Sequence, residues 1–221
     1  MTQAESSGRR QRLLRRLIVT GIVLALWFWT QSLIGARTAP ASGVGDALHN
    51  LTAGLNSYFA QNSRAANALL IVSSALIDAL GLFLLGRWLF GGSVRPFLGL
   101  FLLMALRQTM QAICALPPPP NMIWHYPGFP SLLVTYHVAN DFFFSGHTAI
   151  AIFGAMEISR LRRRWLTVAA VLIVVFEIAT VLILRAHYTM DVFAGIVAAL
   201  WVKDVVSQVS PRLDGLLWRA N

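Results

Sequence analysis

Charge is what this sequence has least of. Of its 221 residues only 12% are Asp, Glu, Lys or Arg, while 57% are hydrophobic and the mean hydropathy is +0.64. Soluble domains carry about 25% charged residues, so the composition excludes an ordinary soluble domain and places the chain in a membrane. Acidic groups are scarcer than basic ones, 9 against 18, for a net charge of +9. Cysteine occurs once, at Cys114, which excludes an internal disulfide. No polar stretch is long enough to fold as a separate soluble domain. Histidine is sparse too. In the apolar part of the chain it stands only at the edges of two runs.

What is present is a series of apolar runs. Residues 1–16 are polar and basic, with Arg9, Arg10, Arg12, Arg15 and Arg16, and an apolar run follows from Leu17 to Ile34. It is longer and more aromatic than the roughly 7–15-residue core of a signal peptide, so it reads as a retained first span. Residues 36–65 form a polar loop in which Leu48, Leu51, Leu55 and Phe59 share one helical face. That pattern predicts an amphipathic helix on the membrane surface over about 45–60. Further spans are predicted at Ala66–Leu89, Pro96–Leu116, Phe142–Ile158, Leu166–Leu184 and Met190–Val206, each near the ~20 residues that cross a bilayer. Pro117–Pro120 open a loop that cannot be helix interior. The predicted fold is therefore all-α: an integral membrane bundle of six transmembrane helices with a short interfacial helix. Residues 1–16 are a basic cytoplasmic N-terminus, 17–207 a single catalytic membrane domain, and 208–221 a cytoplasmic tail.

The arginines set the expected orientation. Arg9 to Arg16, Arg87 with Arg95, Arg160 with Arg162 to Arg164, and Lys203 with Arg212 and Arg219 all fall on one side if the six spans alternate. The positive-inside rule then puts both termini in the cytoplasm. The same placement explains the basic balance as topology, and no nucleic-acid partner is expected. The excess of arginine over lysine and the short loops point to a bacterial inner membrane.

Two stretches carry the chemistry, and this topology brings both to the periplasmic or lumenal face. One is Asp141-Phe142-Phe143-Phe144-Ser145-Gly146-His147-Thr148; the other is Arg185-Ala186-His187-Tyr188-Thr189-Met190-Asp191. His187 and Asp191 are four apart and share a helical face. A carboxylate beside an imidazole fixes its tautomer and leaves the other ring nitrogen as nucleophile or base. His147 is then available as general acid. It sits at a helix N-terminus, where free amides and the dipole attract anions. Ser145 and Thr148 add hydroxyls, and Gly146 allows close approach to the backbone. Asp141 either caps that helix or orients His147. Trp124, Tyr126, Tyr188 and Phe142 to Phe144 are candidates to box a quaternary ammonium, although aromatic residues also populate membrane interfaces generally.

Taken together, Ser145-Gly146-His147-Thr148 with Asp141, and His187-Tyr188-Thr189-Met190-Asp191-Val192, resemble the paired signatures of the sphingomyelin synthase family. That family is a branch of the type 2 phosphatidic acid phosphatase superfamily of six-helix membrane enzymes. The resemblance covers about the last half of the chain. It implies that His187 is a nucleophile forming a phosphohistidine, that Asp191 activates it, and that His147 protonates the leaving lipid alcohol. The phospho-head-group would then pass to a lipid hydroxyl or to water. Ala139-Asn140 precede Asp141 where the family has Cys-Gly, and the arginine of the phosphatase branch six residues before the second histidine is Val181 here.

Few cations remain to hold an anion, Arg185 and Arg107 being the candidates. A phosphomonoester dianion calls for more of them than a diester does, so a phospholipid diester donor is expected, with lipid phosphate dephosphorylation as the alternative. Ser145, Gly146, Thr148, Tyr188, Asp141, Arg185 and Arg107 are the expected substrate-binding residues. No metal or cofactor is expected. A zinc hydrolase using His147, His187, Asp191 and Asp141 lacks a third histidine at telling spacing, and a transporter would spread its ionisable groups along a path rather than at one face. Asp78, Arg107, Glu157 and Glu177 fall inside spans, where ionisable groups are usually paired; Arg107 and Glu177 lie at similar depth and are expected to pair. His125 and His137 read as solvated loop residues.

Overall fold

A computed structural model describes residues 43–218 except 115, 135 and 137–141, together with isolated positions between 18 and 32. Met1–Gly45 and Asp46–Asn221 are separate compact units. In the first, residues 18, 22, 25, 28, 29 and 32 are helical and exposed; the rest of the predicted first span lies outside the described residues. Everything below concerns the second unit.

Its described residues form helices and loops without strands. Two short helices, α1 (Ala47–Leu51) and α2 (Ala53–Gln61), occupy the place of the predicted amphipathic helix. Then come α3 (Ser63–Gly91), α4 (Arg95–Ile113), α5 (Gly146–Ser159), α6 (Arg164–Ile183) and α7 (Thr189–Trp218). Four of these, α3, α4, α6 and α7, are long and apolar enough to cross a membrane. The predicted fourth span is the shorter α5, whose 14 residues rise only about 21 Å. α7 runs on past Val206, the predicted end of the sixth span, to Trp218 with Pro211 inside it.

The short helix is the centre of the bundle. α5 packs against α3, α4, α6 and α7. A helix surrounded in this way has no polar face to show, and Ala149, Ile150, Ala151 and Phe153 are all buried. Close packing is obtained with glycine. A Cβ on Gly99 of α4 would stand 2.0 Å from the Phe153 ring, and small residues are the usual means of bringing membrane helices together.

The end of the bundle away from the histidines is held by charge. Gly92, left-handed at φ +69, ends α3, and Pro96 begins α4. The Asp214 carboxylate of α7 accepts from Val94 N at 2.7 Å and Ser93 Oγ at 2.8 Å. Buried Arg95 and Glu157 pair at 3.0 Å. Glu177, expected opposite Arg107, instead accepts from Ser73 Oγ at 2.6 Å.

Candidate active site

The first motif is a loop that turns into a helix. Ser145 has extended backbone and caps α5, its Oγ accepting from Thr148 N at 3.3 Å and Thr148 Oγ1 at 3.0 Å. Both hydroxyls are thus used in building the helix start. Gly146 and His147 follow, and both line a cavity of about 40 Å³ shared with Arg107, Trp124, Phe142 and His187. A cavity of that size has room for water.

The second motif is the junction of α6 and α7. Asp191, fully buried, lies in the first turn of α7, and its Oδ2 accepts from Tyr188 N at 2.9 Å. The same oxygen stands 3.4 Å from His187 Nδ1, and Nδ1 also reaches Phe142 O at 3.3 Å. Both neighbours are acceptors, so Nδ1 carries the proton and Nε2 is the nitrogen with a free lone pair. Across the cavity, His147 Nε2 is buried and has no hydrogen-bond partner among the described residues. The edge-on His147 and Trp124 rings are 5.3 Å apart.

Two glycines bring these pieces together. Ser145 N donates to Asp191 O at 3.0 Å, which ties the start of one motif to the end of the other. One turn beyond Asp191, a Cβ on Gly195 would stand 2.7 Å from Ser145 O. Gly195 therefore sets how closely α7 approaches the start of α5. Gly146 does the same for a cation: its missing Cβ leaves Arg107 Nε and Cδ at 3.1 and 3.3 Å from that point. The guanidinium lies against the N-terminus of α5, where anions are favoured.

The other expected binding residues are placed elsewhere. Arg185 sits at φ +53 and is absent from the cavity wall. It donates to Pro120 O at 2.8 Å and to His49 O at 3.2 Å, so it braces the proline loop. Tyr188 is buried, donates to Pro117 O at 3.1 Å, and stacks on His49. Asp141 and His137 lie outside the described residues, and His125 meets Asn67 Oδ1 at 2.7 Å. Among the described residues no group of three or more His, Cys, Asp or Glu is arranged to share a metal ion.

Asp46, His49 and Asn56, which the periodicity did not single out, hold the second motif from above. The Asp46 carboxylate starts α1 through Leu48 N and His49 N, and also accepts from Thr189 N at 2.6 Å and Thr189 Oγ1 at 2.7 Å. Burial pushes its pKa up, but the hydrogen bonds from Thr189 and His49 outweigh this and hold it below the usual value. His49 Nε2 donates to the carbonyl of His187 at 2.9 Å, and Asn56 Nδ2 to that of Ile183 at 2.9 Å. Leu51, Leu55 and Tyr58 on the same two helices are exposed. The amphipathic segment therefore turns its polar face to the protein and its apolar face outward, which is the orientation an interfacial helix needs. The available signal was a histidine and an asparagine opposite the leucine face.

Comparison with known proteins gives a family. The AtPDCT1/2 family model matches residues 45–208. The phosphatidylcholine:diacylglycerol cholinephosphotransferase 1 of Arabidopsis thaliana is 23% identical over 172 residues, covering 78% of this chain and 54% of its own length. The chain thus spans about half the length of that relative. No solved structure matches.

Proposed function

The chain belongs to the AtPDCT1/2 family, and from that premise we propose that it is a membrane phosphotransferase that moves the phosphorylated head group of a phospholipid diester to a lipid hydroxyl. This makes the paired signatures those of a lipid phosphotransferase family, without assigning sphingomyelin synthesis in particular. The observation that carries the reading is the arrangement around one cavity: His187 Nδ1 held by Asp191 Oδ2 and Phe142 O, with buried His147 Nε2 lining the same space.

In the proposed reaction His187 Nε2 attacks phosphorus, a P–N bond forms, and the bond from phosphorus to the glyceride oxygen breaks. His147 in its protonated form gives its proton to that oxygen. Asp191 balances the charge that His187 gains. The acceptor hydroxyl then attacks phosphorus, the P–N bond breaks, and neutral His147 takes the acceptor's proton. Arg107 against the start of α5 neutralises the single charge of a diester. With Arg185 committed to two carbonyls, a monoester dianion has less to hold it. The relative's name supports choline phosphate as the group transferred and diacylglycerol as the acceptor. Trp124, whose ring lies tilted 5.2 Å from that of Tyr136, supplies an aromatic face suited to a quaternary ammonium. The arginine distribution supports a site at the periplasmic or lumenal leaflet.

The test is a head-group assay in detergent. Phosphatidylcholine is supplied with fluorescent diacylglycerol or ceramide, and phosphatidic acid in a parallel tube, with products separated by thin-layer chromatography. Fluorescent lipid carrying the head group is the expected result. Free phosphate from phosphatidic acid with no diester turnover would replace this reading with a lipid phosphatase.

A further inference from the structure

A second, larger cavity of about 620 Å³ lies between α4 and α7, lined by Leu106, Met110, Phe144, Ala194, Val197 and Trp201 among other apolar residues. Its volume is in the range of small-molecule binding sites, roughly 300–1,000 Å³. Among the described residues no charged side chain lines it. Two pairs of chain neighbours join it to the catalytic cavity. Phe142 lines the catalytic cavity and Phe143 the groove; Arg107 lines the one and Leu106 the other. The two spaces are therefore opposite sides of one wall, about one residue, or roughly 4 Å, thick along the chain.

The groove also has a length. Met190 and Trp201 are eleven residue steps apart on continuous helix, about 16 Å at 1.5 Å per residue. Half of a bilayer's ~30 Å hydrocarbon core is about 15 Å. The groove thus starts beside the reacting groups and runs the depth of one leaflet. Small residues make it concave: Ala194 and Ala198 form its floor while Phe193 and Trp201 stand exposed around it.

We propose that this groove binds one acyl chain of the lipid whose phosphodiester enters the catalytic cavity, and that Trp201 closes its far end and so sets the preferred chain length. The inference rests on the lipid phosphotransferase reading above. An acyl chain is the occupant because the groove is wholly apolar, opens on a helix that crosses the membrane, and ends at the level where a glycerophospholipid places its phosphate.

The experiment compares phosphatidylcholines of six-carbon and eighteen-carbon acyl chains, and labels the protein with a phosphatidylcholine bearing a photoactivatable diazirine in its acyl chain. Val197→Phe, at a half-exposed position, fills the groove, and Trp201→Ala extends it. The expected result for Val197→Phe is a fall of about tenfold in the long-chain to short-chain ratio of kcat/KM, the scale on which hydrophobic pockets discriminate. Trp201→Ala should move the optimum to longer chains. Photolabelling should saturate on α4 and on Met190–Trp201, yield to excess unlabelled lipid, and disappear in Val197→Phe. Equal ratios for wild type and both variants would overturn the proposal. So would labelling that does not saturate and is as strong on the exposed face of α6 at Val168, Leu172 and Val175, since the groove would then hold only bulk lipid or be covered by another segment or a second copy. If the wild type turned over neither diester, the transferase reading would fail, while saturable labelling would still decide the groove.

Discussion

The two ends of the bundle use buried polar groups in opposite ways. At one end, charges of opposite sign meet: Arg95 pairs with Glu157, and Asp214 accepts from the residues that begin α4. At the other, two imidazoles face one cavity, a single carboxylate is shared between His187 and a backbone amide, and the backbone carbonyl of Phe142 completes the arrangement. The first arrangement holds helices together by opposite charge, although Arg95 Nε is left without a hydrogen-bond partner among the described residues. The second leaves buried His147 Nε2 and Asp191 Oδ1 without hydrogen-bond partners among the described residues. Buried polar atoms are rarely left so; on the proposed mechanism the leaving-group oxygen would meet His147 Nε2, while Asp191 Oδ1 does not line the cavity. The difference lies in the partners: oppositely charged groups meet at one end, and two imidazoles share one cavity at the other.

Substitutions at the two ends should therefore fail differently. His187→Ala should lower head-group transfer by about 10⁴-fold or more with the thermal midpoint in detergent nearly unchanged; substantial turnover by this variant would remove the nucleophile from the account. Glu157→Ala should do the reverse. It leaves Arg95 buried without its partner, at a cost of about 3 kcal/mol, read as a lowered midpoint, while turnover per folded molecule stays near that of the parent.

Smaller effects probe how the reactive end is assembled. Gly195→Ala places a Cβ 2.7 Å from Ser145 O. A displacement of about 1 Å at a reacting group costs roughly 10²-fold, so kcat should fall by about that factor with KM little changed. Asp46→Asn should cost about tenfold or less, through loosened positioning of Thr189 and the His187 loop. Its depressed pKa sets the sign with pH: the stabilisation is present above the unfolded value of 3.8 and is lost as pH falls through the lower folded value. In acid-unfolding curves the parent should thus lose its advantage over Asp46→Asn at the acidic end.

Much of this was legible in the sequence, for identifiable reasons. Apolar runs located α3, α4, α6 and α7 to within a few residues, except that α7 continues beyond Val206. His187 does stand beside Asp191, but from the turn before α7 and not on a shared helical face, and the helix start placed Gly146 with His147. Depth alone did not determine partners: Arg107 was expected opposite Glu177 and instead lines the cavity of the two histidines, because a missing Cβ at Gly146 makes room for it. Arg185 and Tyr188 lie in the right motif but turn away from the cavity, since the left-handed turn at Arg185 and the carbonyls of the proline loop settle their direction. Asp46, His49 and Asn56 act across more than a hundred residues of sequence, a relation that periodicity does not encode. Gly195 has meaning only once two helices touch.

The most direct test of the central claim is a search for the covalent intermediate. The protein would be mixed with phosphatidylcholine labelled at phosphorus, quenched within the first turnover, and digested for mass spectrometry. The account predicts an acid-labile phosphocholine adduct on the peptide containing His187, absent from His187→Ala, slower to form in His147→Ala, and increased in the parent when no acceptor is supplied. Full head-group transfer with no adduct on His187 at any time would contradict it, and would mean that the acceptor hydroxyl attacks phosphorus directly with His187 as its base.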